Sequence, residues 1–258
     1  MRFTDLLLIL HKNGIMFLFR KNKPTLKEII PKGYTDIHSH IIPGIDDGAQ
    51  TTSDSKILLQ KMKEFGFEKV IGTPHIISGI WDNSYESIVT TFEENNSIWN
   101  ESTLEVAVAA EYMMDSEFAL LLASKKLLTI KENYVLVEMS YINPPIQLYE
   151  ILYDLQMAGY QPVLAHPERY VFYHNALKEF TKLKNAGCLL QLNLLSLTGY
   201  YGNAEAKTAD YLLKNNMYSF SGSDIHHVKH LESFDNKIVF SETDNIQKLL
   251  EKNCFFKT

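Results

Sequence analysis

Cysteine is nearly absent from this chain: among 258 residues only Cys188 and Cys254 occur. Two thiols make no disulfide framework, which fits a reducing cytoplasmic setting. Neither opens a Cys-x5-Arg phosphate loop, because the sixth residue after Cys188 is Leu194 and Cys254 stands too close to the end. Cysteine-based phosphate-ester chemistry is thereby excluded. Arginine is almost as rare: Arg2, Arg20 and Arg169 are the full set, so the body of the chain holds a single guanidinium. No apolar run approaches the ~20 residues of a membrane span, and no small-residue cleavage site marks a secretory signal. A Gly-rich phosphate fingerprint is missing too. The net charge is −6, which removes the electrostatic case for nucleic acid or an anionic membrane.

What is present begins with a globular balance, 45% apolar and 22% charged residues, on a length that suits one barrel or two small domains. Residues 1–33 are the least readable part, with short apolar runs at Leu6 to Leu10 and Ile15 to Phe19. Met16 is an alternative start; the other readings are a helix packed under the domain, which we favour, or a weak basic-apolar membrane contact. We therefore treat residues 1–33 as an N-terminal extension and residues 34–258 as a single domain.

That domain is organised around Asp36-Ile37-His38-Ser39-His40, followed by Pro43-Gly44-Ile45-Asp46-Asp47-Gly48. In a strand from Tyr34 to His40, side chains alternate between faces, so Asp36, His38 and His40 point one way. Two imidazoles on one strand face reach a common ion, and Asp46 or Asp47 can return a carboxylate to it after the turn. Nitrogen and oxygen donors without thiolate suit Mn, Fe or Zn.

The rest of the domain alternates strand and helix. A helix opens at Thr52-Ser53-Asp54 and stops at Gly66. Further strands are expected at Lys69 to His75, Leu104 to Glu111, Tyr134 to Met139, Pro162 to His166, Leu189 to Asn193 and Tyr218 to His226. Seven strands interleaved with helices imply a parallel sheet with right-handed crossovers. In a βα barrel the carboxyl ends of the strands share one rim, where active sites are built. An open doubly wound sheet is the alternative.

Collected on that rim are His38, His40, Asp47, His75, Glu111, His166, Asp224 and His226. Eight donors are too many for one ion and suit two or three, with Glu111 as a natural bridging carboxylate. Burying so many ionisable groups without a cation would be costly. His11 and His174 are read as surface residues, and His227 and His230 as residues of a rim loop. Arg169, three residues past His166, either grips phosphate with paired hydrogen bonds or forms a salt bridge to Glu168 or another surface acid. Trp81, Tyr141, Tyr170, Tyr200 and Tyr201 are candidates for sandwiching a substrate ring, although most such aromatics simply pack.

Asp-Ile-His-Ser-His with Gly-Ile-Asp-Asp-Gly, then Thr-Pro-His, Ala-His-Pro-Glu-Arg-Tyr and Gly-Ser-Asp-Ile-His together resemble the polymerase-and-histidinol-phosphatase (PHP) superfamily. More closely, they resemble the manganese-dependent protein tyrosine phosphatases of bacterial capsule and exopolysaccharide loci. The likeness runs from about Tyr34 to the C-terminal region in the family's motif order. It implies a distorted seven-stranded TIM-like barrel, up to three metal ions (manganese, with iron or zinc as alternatives) and cytoplasmic hydrolysis of phosphotyrosine by a metal-bridged hydroxide. The implied substrate is a tyrosine autokinase controlling capsule or exopolysaccharide synthesis. The resemblance also carries metal-ligand roles onto the eight rim residues and a phosphate role onto Arg169. The family often places a second arginine after the final histidine; here His227-Val228-Lys229-His230 stands there, leaving Lys229 or His230 to substitute. The rival within the superfamily is a small-molecule phosphatase of the histidinol-phosphate type.

Overall fold

The computed structural model describes residues 10–11, 14–15, 23–124, 126–241 and 243–257. Near the N-terminus β1 (Leu10–His11) pairs antiparallel with β2 (Gly14–Ile15). Met16 and most of the expected packed helix lie outside the described residues. A short helix does form at Leu26–Ile29, and its Leu26 and Ile29 are buried in the main core. The last part of the presumed extension is therefore packed against the body.

The remaining strands are β3 (Tyr34–Ser39), β4 (Phe67–Gly72), β5 (His75–Ile76), β6 (Glu105–Val108), β7 (Glu111–Met113), β8 (Tyr134–Glu138), β9 (Gln161–Ala165), β10 (Leu189–Asn193) and β11 (Phe220–Gly222). They form two parallel sheets, one ordered β11-β10-β9-β8-β7-β5 and the other β3-β4-β6. The single closed seven-stranded sheet expected from the sequence is met only in part. The expected strand from Lys69 to His75 is divided at Thr73-Pro74, where proline brings no N–H to the ladder. The strand from Leu104 to Glu111 is divided at Ala109-Ala110, and β3 shifts register against β4 between Asp36 and Ser39. Between the sheets, a parallel bridge joins Ser39 to Ile225, with His40 N–H donating to Ile225 O at 2.9 Å and Asp224 N–H to His38 O at 2.8 Å.

The sequence explains the elements locally. Tyr-Val-Leu-Val-Glu of β8 is an apolar, β-branched run whose last four residues are buried, as expected where both faces are covered. The Thr52–Glu64 helix opens with a capping box between Thr51 and Asp54 and buries Leu58, Leu59 and Met62. Its Ser55 hydroxyl donates to Ile41 O at 2.7 Å, which fixes the helix to the exit of β3. A second, smaller core cluster gathers Ile37, Ile71, Ala109, Leu136, Val163 and Phe220, drawn from both sheets. This apolar layer underlies the carboxyl ends of the strands.

Candidate metal centre

At those ends β3 delivers His38 and His40. The turn beyond them folds back tightly because residue 48 is glycine: a Cβ there would lie 2.1 Å from His40 O. Register sets the next side chains. His75 lies opposite Glu111 in the β5–β7 pair, and Met113 lies opposite Glu138 in β7–β8. His166 and Asp224 each follow a strand and hold left-handed backbone conformations, φ 35° and 54°. Non-glycine residues rarely hold that conformation, and such strain gathers where a side chain must be aimed.

All eight donors expected from the sequence converge. His38 Nε2 lies 3.1 Å from Glu111 Oε2, 3.2 Å from Asp224 Oδ1 and 3.3 Å from His40 Nε2. His40 Nε2 lies 3.4 Å from Glu111 Oε2 and 3.3 Å from Asp224 Oδ1. Such edges are close to the ~3.4 Å spacing of ligands about 2.1 Å from one tetrahedral centre. His40, Asp47, His75 and His226 form a second grouping, in which Asp47 Oδ1 lies 3.5 Å from His75 and 3.4 Å from His226. His166 Nε2 stands 3.2 Å from the other oxygen of Glu111.

A third grouping contains His75, Glu111 and Glu138, with His75 Nδ1 3.0 Å from Glu138 Oε1. The sequence reading missed Glu138, although it ends a strand by the same rule that selected Glu111. Of the two aspartates that follow the turn, the sequence reading took Asp47 as the donor, and the structure gives the pair different partners. Asp47 faces His75 and His226, whereas buried Asp46 takes His40 Nδ1 at 2.8 Å and the Gly48 N–H at 2.9 Å. Gln191 Oε1 does the same for His38 Nδ1 at 3.0 Å, leaving both Nε2 atoms directed at the common centre.

Burial opposes the charges of His38, Glu111 and Asp224, yet mutual attraction wins. His38 would be pushed down by burial, but Glu111 and Asp224 carry it up to about 10. Burial raises Glu111 and Asp224 too, and the facing imidazoles hold both well below the usual carboxylate range. Asp47 is lowered to about 2, chiefly by His226. Deprotonated carboxylates beside buried imidazoles are a site in which cations take the place of protons. Of the five buried side-chain atoms without a hydrogen-bond partner among the described residues, four lie here: His75 Nδ1, Glu111 Oε1, Glu138 Oε1 and His166 Nδ1. Three of these sit on the third grouping, so the donor set fits metal ions by both chemistry and unmet demand.

Arg169 does not bridge to Glu168. Its Nη1 donates to Asp224 Oδ2 at 2.7 Å, and its guanidinium lies 4.8 Å from the Tyr141 ring centre and 4.1 Å from that of Tyr201. Those two tyrosines flank the arginine. Tyr170 is buried and its hydroxyl accepts the Met139 N–H, Tyr200 packs edge-on against His230, and Trp81 lines a neighbouring cleft. Glu168 is instead buried, accepting from Asn193 N–H, Ser196 Oγ and Tyr218 OH, while its backbone oxygen lies 2.8 Å from His174 Nε2. His174 is thus a half-buried brace and not a free surface residue; the His11 side chain lies outside the described ones. His230 belongs to the Val228–Glu232 helix, accepts the His226 N–H, and is lowered to about 4 by burial with His227 and His226 nearby. Lys229, on the same helix, is exposed.

Parallel α/β sheets carrying clustered imidazoles and carboxylates at their carboxyl ends define a protein built around a candidate multinuclear metal centre. The sequence profile of the family "Capsular polysaccharide synthesis, CpsB/CapC" matches residues 34–234. The chain belongs to that family. It is 29% identical to the tyrosine-protein phosphatase YwqE of Bacillus subtilis over 237 residues, 86% of this chain and 93% of that protein. It is 30% identical to the tyrosine-protein phosphatase CpsB of Streptococcus pneumoniae, covering 75% and 83% respectively. A crystal structure from the pair YwqE and CpsB, described as unique metal-dependent tyrosine phosphatases, superposes with a TM-score of 0.72 at 29% identity, covering 84% of this chain and 86% of that one.

Proposed function

We propose that this chain is a metal-dependent tyrosine-protein phosphatase of capsular polysaccharide synthesis. The observation that carries the reading is the convergence of all eight expected donors, joined by Glu138, beside the one arginine of the body. Family membership and the named activity of the relatives support it.

We assign His38, His40, Glu111 and Asp224 to one ion, His40, Asp47, His75 and His226 to a second grouping, and His75, Glu111 and Glu138 to a third, with His166 on Glu111. Overlap among these groupings suits two to three ions. Donors limited to nitrogen and oxygen favour manganese, with iron or zinc as alternatives. Such cations, when bound, supply Lewis-acid charge and bring the pKa of water toward neutrality. Asp46 and Gln191 hold the two ligand imidazoles in the tautomer that exposes Nε2. Arg169, pinned by Asp224 and flanked by two rings, presents its remaining N–H donors to the phosphate oxygens as charge redistributes. Phenolate, with a parent pKa of about 10, is a tolerable leaving group.

The protein substrate we infer is a tyrosine autokinase in the cytoplasm. Two free cysteines are in keeping with that compartment, and among the described residues no helix is long and apolar enough to cross a membrane. For the fold, we read residues 34–258 as one distorted seven-stranded TIM-like barrel of the PHP type. The Ser39–Ile225 bridge and a core cluster fed by both sheets support that reading. Activity is tested by phosphate release from a tyrosine-phosphorylated peptide and from histidinol phosphate, before and after chelation and with manganese restored. We expect peptide hydrolysis that chelation abolishes and manganese restores, with two to three ions per chain by elemental analysis. Full activity with at most one ion would overturn the multinuclear assignment, and selective histidinol-phosphate hydrolysis would replace the substrate.

A further inference from the structure

A cleft of about 320 Å³ opens beside the metal centre, with Ile76, Trp81, Met113 and Phe118 among its apolar lining. Its polar lining includes Asp82, Asp115 and Glu117. Two of its lining residues adjoin candidate donors along the chain. Ile76 follows His75 on β5, and Met113 lies two residues past Glu111 on β7, roughly 7 Å along a strand. Asn83 ties its lip to the centre, donating from Nδ2 to His75 O at 2.9 Å and to Ile45 O at 2.8 Å. Trp81 is held by an antiparallel bridge to Ile77.

Two of the three carboxylates are held by backbone N–H groups. Asp82 accepts the Gly79 N–H at 2.6 Å and Asp115 accepts the Phe118 N–H at 2.8 Å. Among the described residues, none of the three acids forms an ion pair with lysine or arginine. An apolar floor beside three acids suits a long basic side chain, its stem on Trp81 and Phe118 and its charged head on the carboxylates. The same acids repel a phosphate dianion. Charge therefore sorts the two ends of a substrate: phosphate toward the cations and Arg169, a basic neighbour toward the cleft.

We propose that this cleft receives the polypeptide flanking the phosphotyrosine and selects a lysine or arginine within about two residues of it. The inference rests on the tyrosine-phosphatase reading above and names a feature of its substrate.

The test compares three phosphotyrosine peptides that differ only in carrying Lys, Ala or Glu beside the phosphotyrosine. Para-nitrophenyl phosphate serves as a substrate without flanks, and the metal-loaded full chain is assayed at low and high salt. The expected kcat/KM order is Lys over Ala over Glu, each step about three- to tenfold, residing mainly in KM and shrinking at high salt. In the double variant Asp82→Asn, Glu117→Gln, whose side chains are exposed and keep their shape, the order should vanish while para-nitrophenyl phosphate turnover is unchanged. Equal kcat/KM for all three peptides with the unaltered chain would overturn the proposal, as would an order that survives in the double variant. Failure to hydrolyse any of the peptides or para-nitrophenyl phosphate would overturn the phosphatase reading itself, and this inference with it.

Discussion

At the amino ends of β3 and β11, Asn253 is buried and its side chain is fully used. Its Oδ1 accepts the Ser221 N–H at 3.1 Å, and its Nδ2 donates to Thr35 O at 2.9 Å and Ser221 O at 2.7 Å. At the carboxyl ends of the same two strands lie His38 and His40 with Asp224 just beyond β11, equally buried but charged, strained at Asp224, and adjoining atoms that have no partner. Both regions are polar. One closes the hydrogen bonds of Asn253 internally, with the Thr35 hydroxyl alone left over, and gains stability; the other leaves four polar atoms open and gains the capacity to bind. In parallel α/β proteins this division follows strand direction, with chemistry at the carboxyl ends and support at the amino ends.

Four experiments would break or sharpen that contrast. The largest effect belongs to Glu111→Gln, which keeps the shape and removes the charge shared by the first and third donor groupings. We expect turnover to fall by about 10³-fold or more, with helix content by circular dichroism retained and fewer ions by elemental analysis. Wild-type turnover would remove Glu111 from the centre. Arg169→Lys comes next. It retains charge but loses the planar fork and its stacking between Tyr141 and Tyr201. A loss of about 2–3 kcal/mol in transition-state binding corresponds to roughly 30- to 150-fold in kcat/KM, with metal content unchanged. Unaltered kinetics would make the arginine a purely structural partner of Asp224.

At the opposite end, Asn253→Ala should act on stability alone. It orphans the Ser221 N–H and the Thr35 and Ser221 carbonyls, a cost of about 3 kcal/mol that lowers Tm by roughly 6–12 °C in a chain of this size. A thermal melt and a kcat measurement on the same sample check this; a large kcat loss below the melt would erase the distinction between the two ends. The smallest effect is expected from thiol alkylation. Cys188 is buried, and burial pushes its thiol up to about 12, while Cys254 is exposed but remote from the donor groupings. Activity should stay within about twofold; a phosphocysteine trapped in turnover would overturn the metal-centred reading.

How much was legible in advance varied with the kind of interaction. The alternation of strand and helix was readable, as were the candidate donors His75, Glu111 and His166, which close or just follow apolar runs, because alternation along such a run is a local property. Glu138 obeyed the same rule and was overlooked in a strand whose apolar character dominated. The breaks at Thr73-Pro74 and Ala109-Ala110 were harder, since a ladder hydrogen bond depends on the neighbouring strand as well as on the proline. Arg169 shows the clearest limit. Adjacent Glu168 was the obvious partner by sequence, yet the turn after His166 sends the two side chains apart, one to Asp224 and one to Asn193, Ser196 and Tyr218.

By itself, then, the sequence determined the alternation of strand and helix, the exclusion of thiol chemistry, and the candidate donor residues with their placement at or near strand ends. These follow from periodicity and composition, which act over a few residues. The pairing of Arg169 with Asp224, the separate contacts of Asp46 and Asp47, the approach of Glu138 to His75 and the burial of His230 were decided only by the tertiary structure. Each depends on which strand lies beside which and on how burial alters a charge, and both are set by groups far apart in the chain.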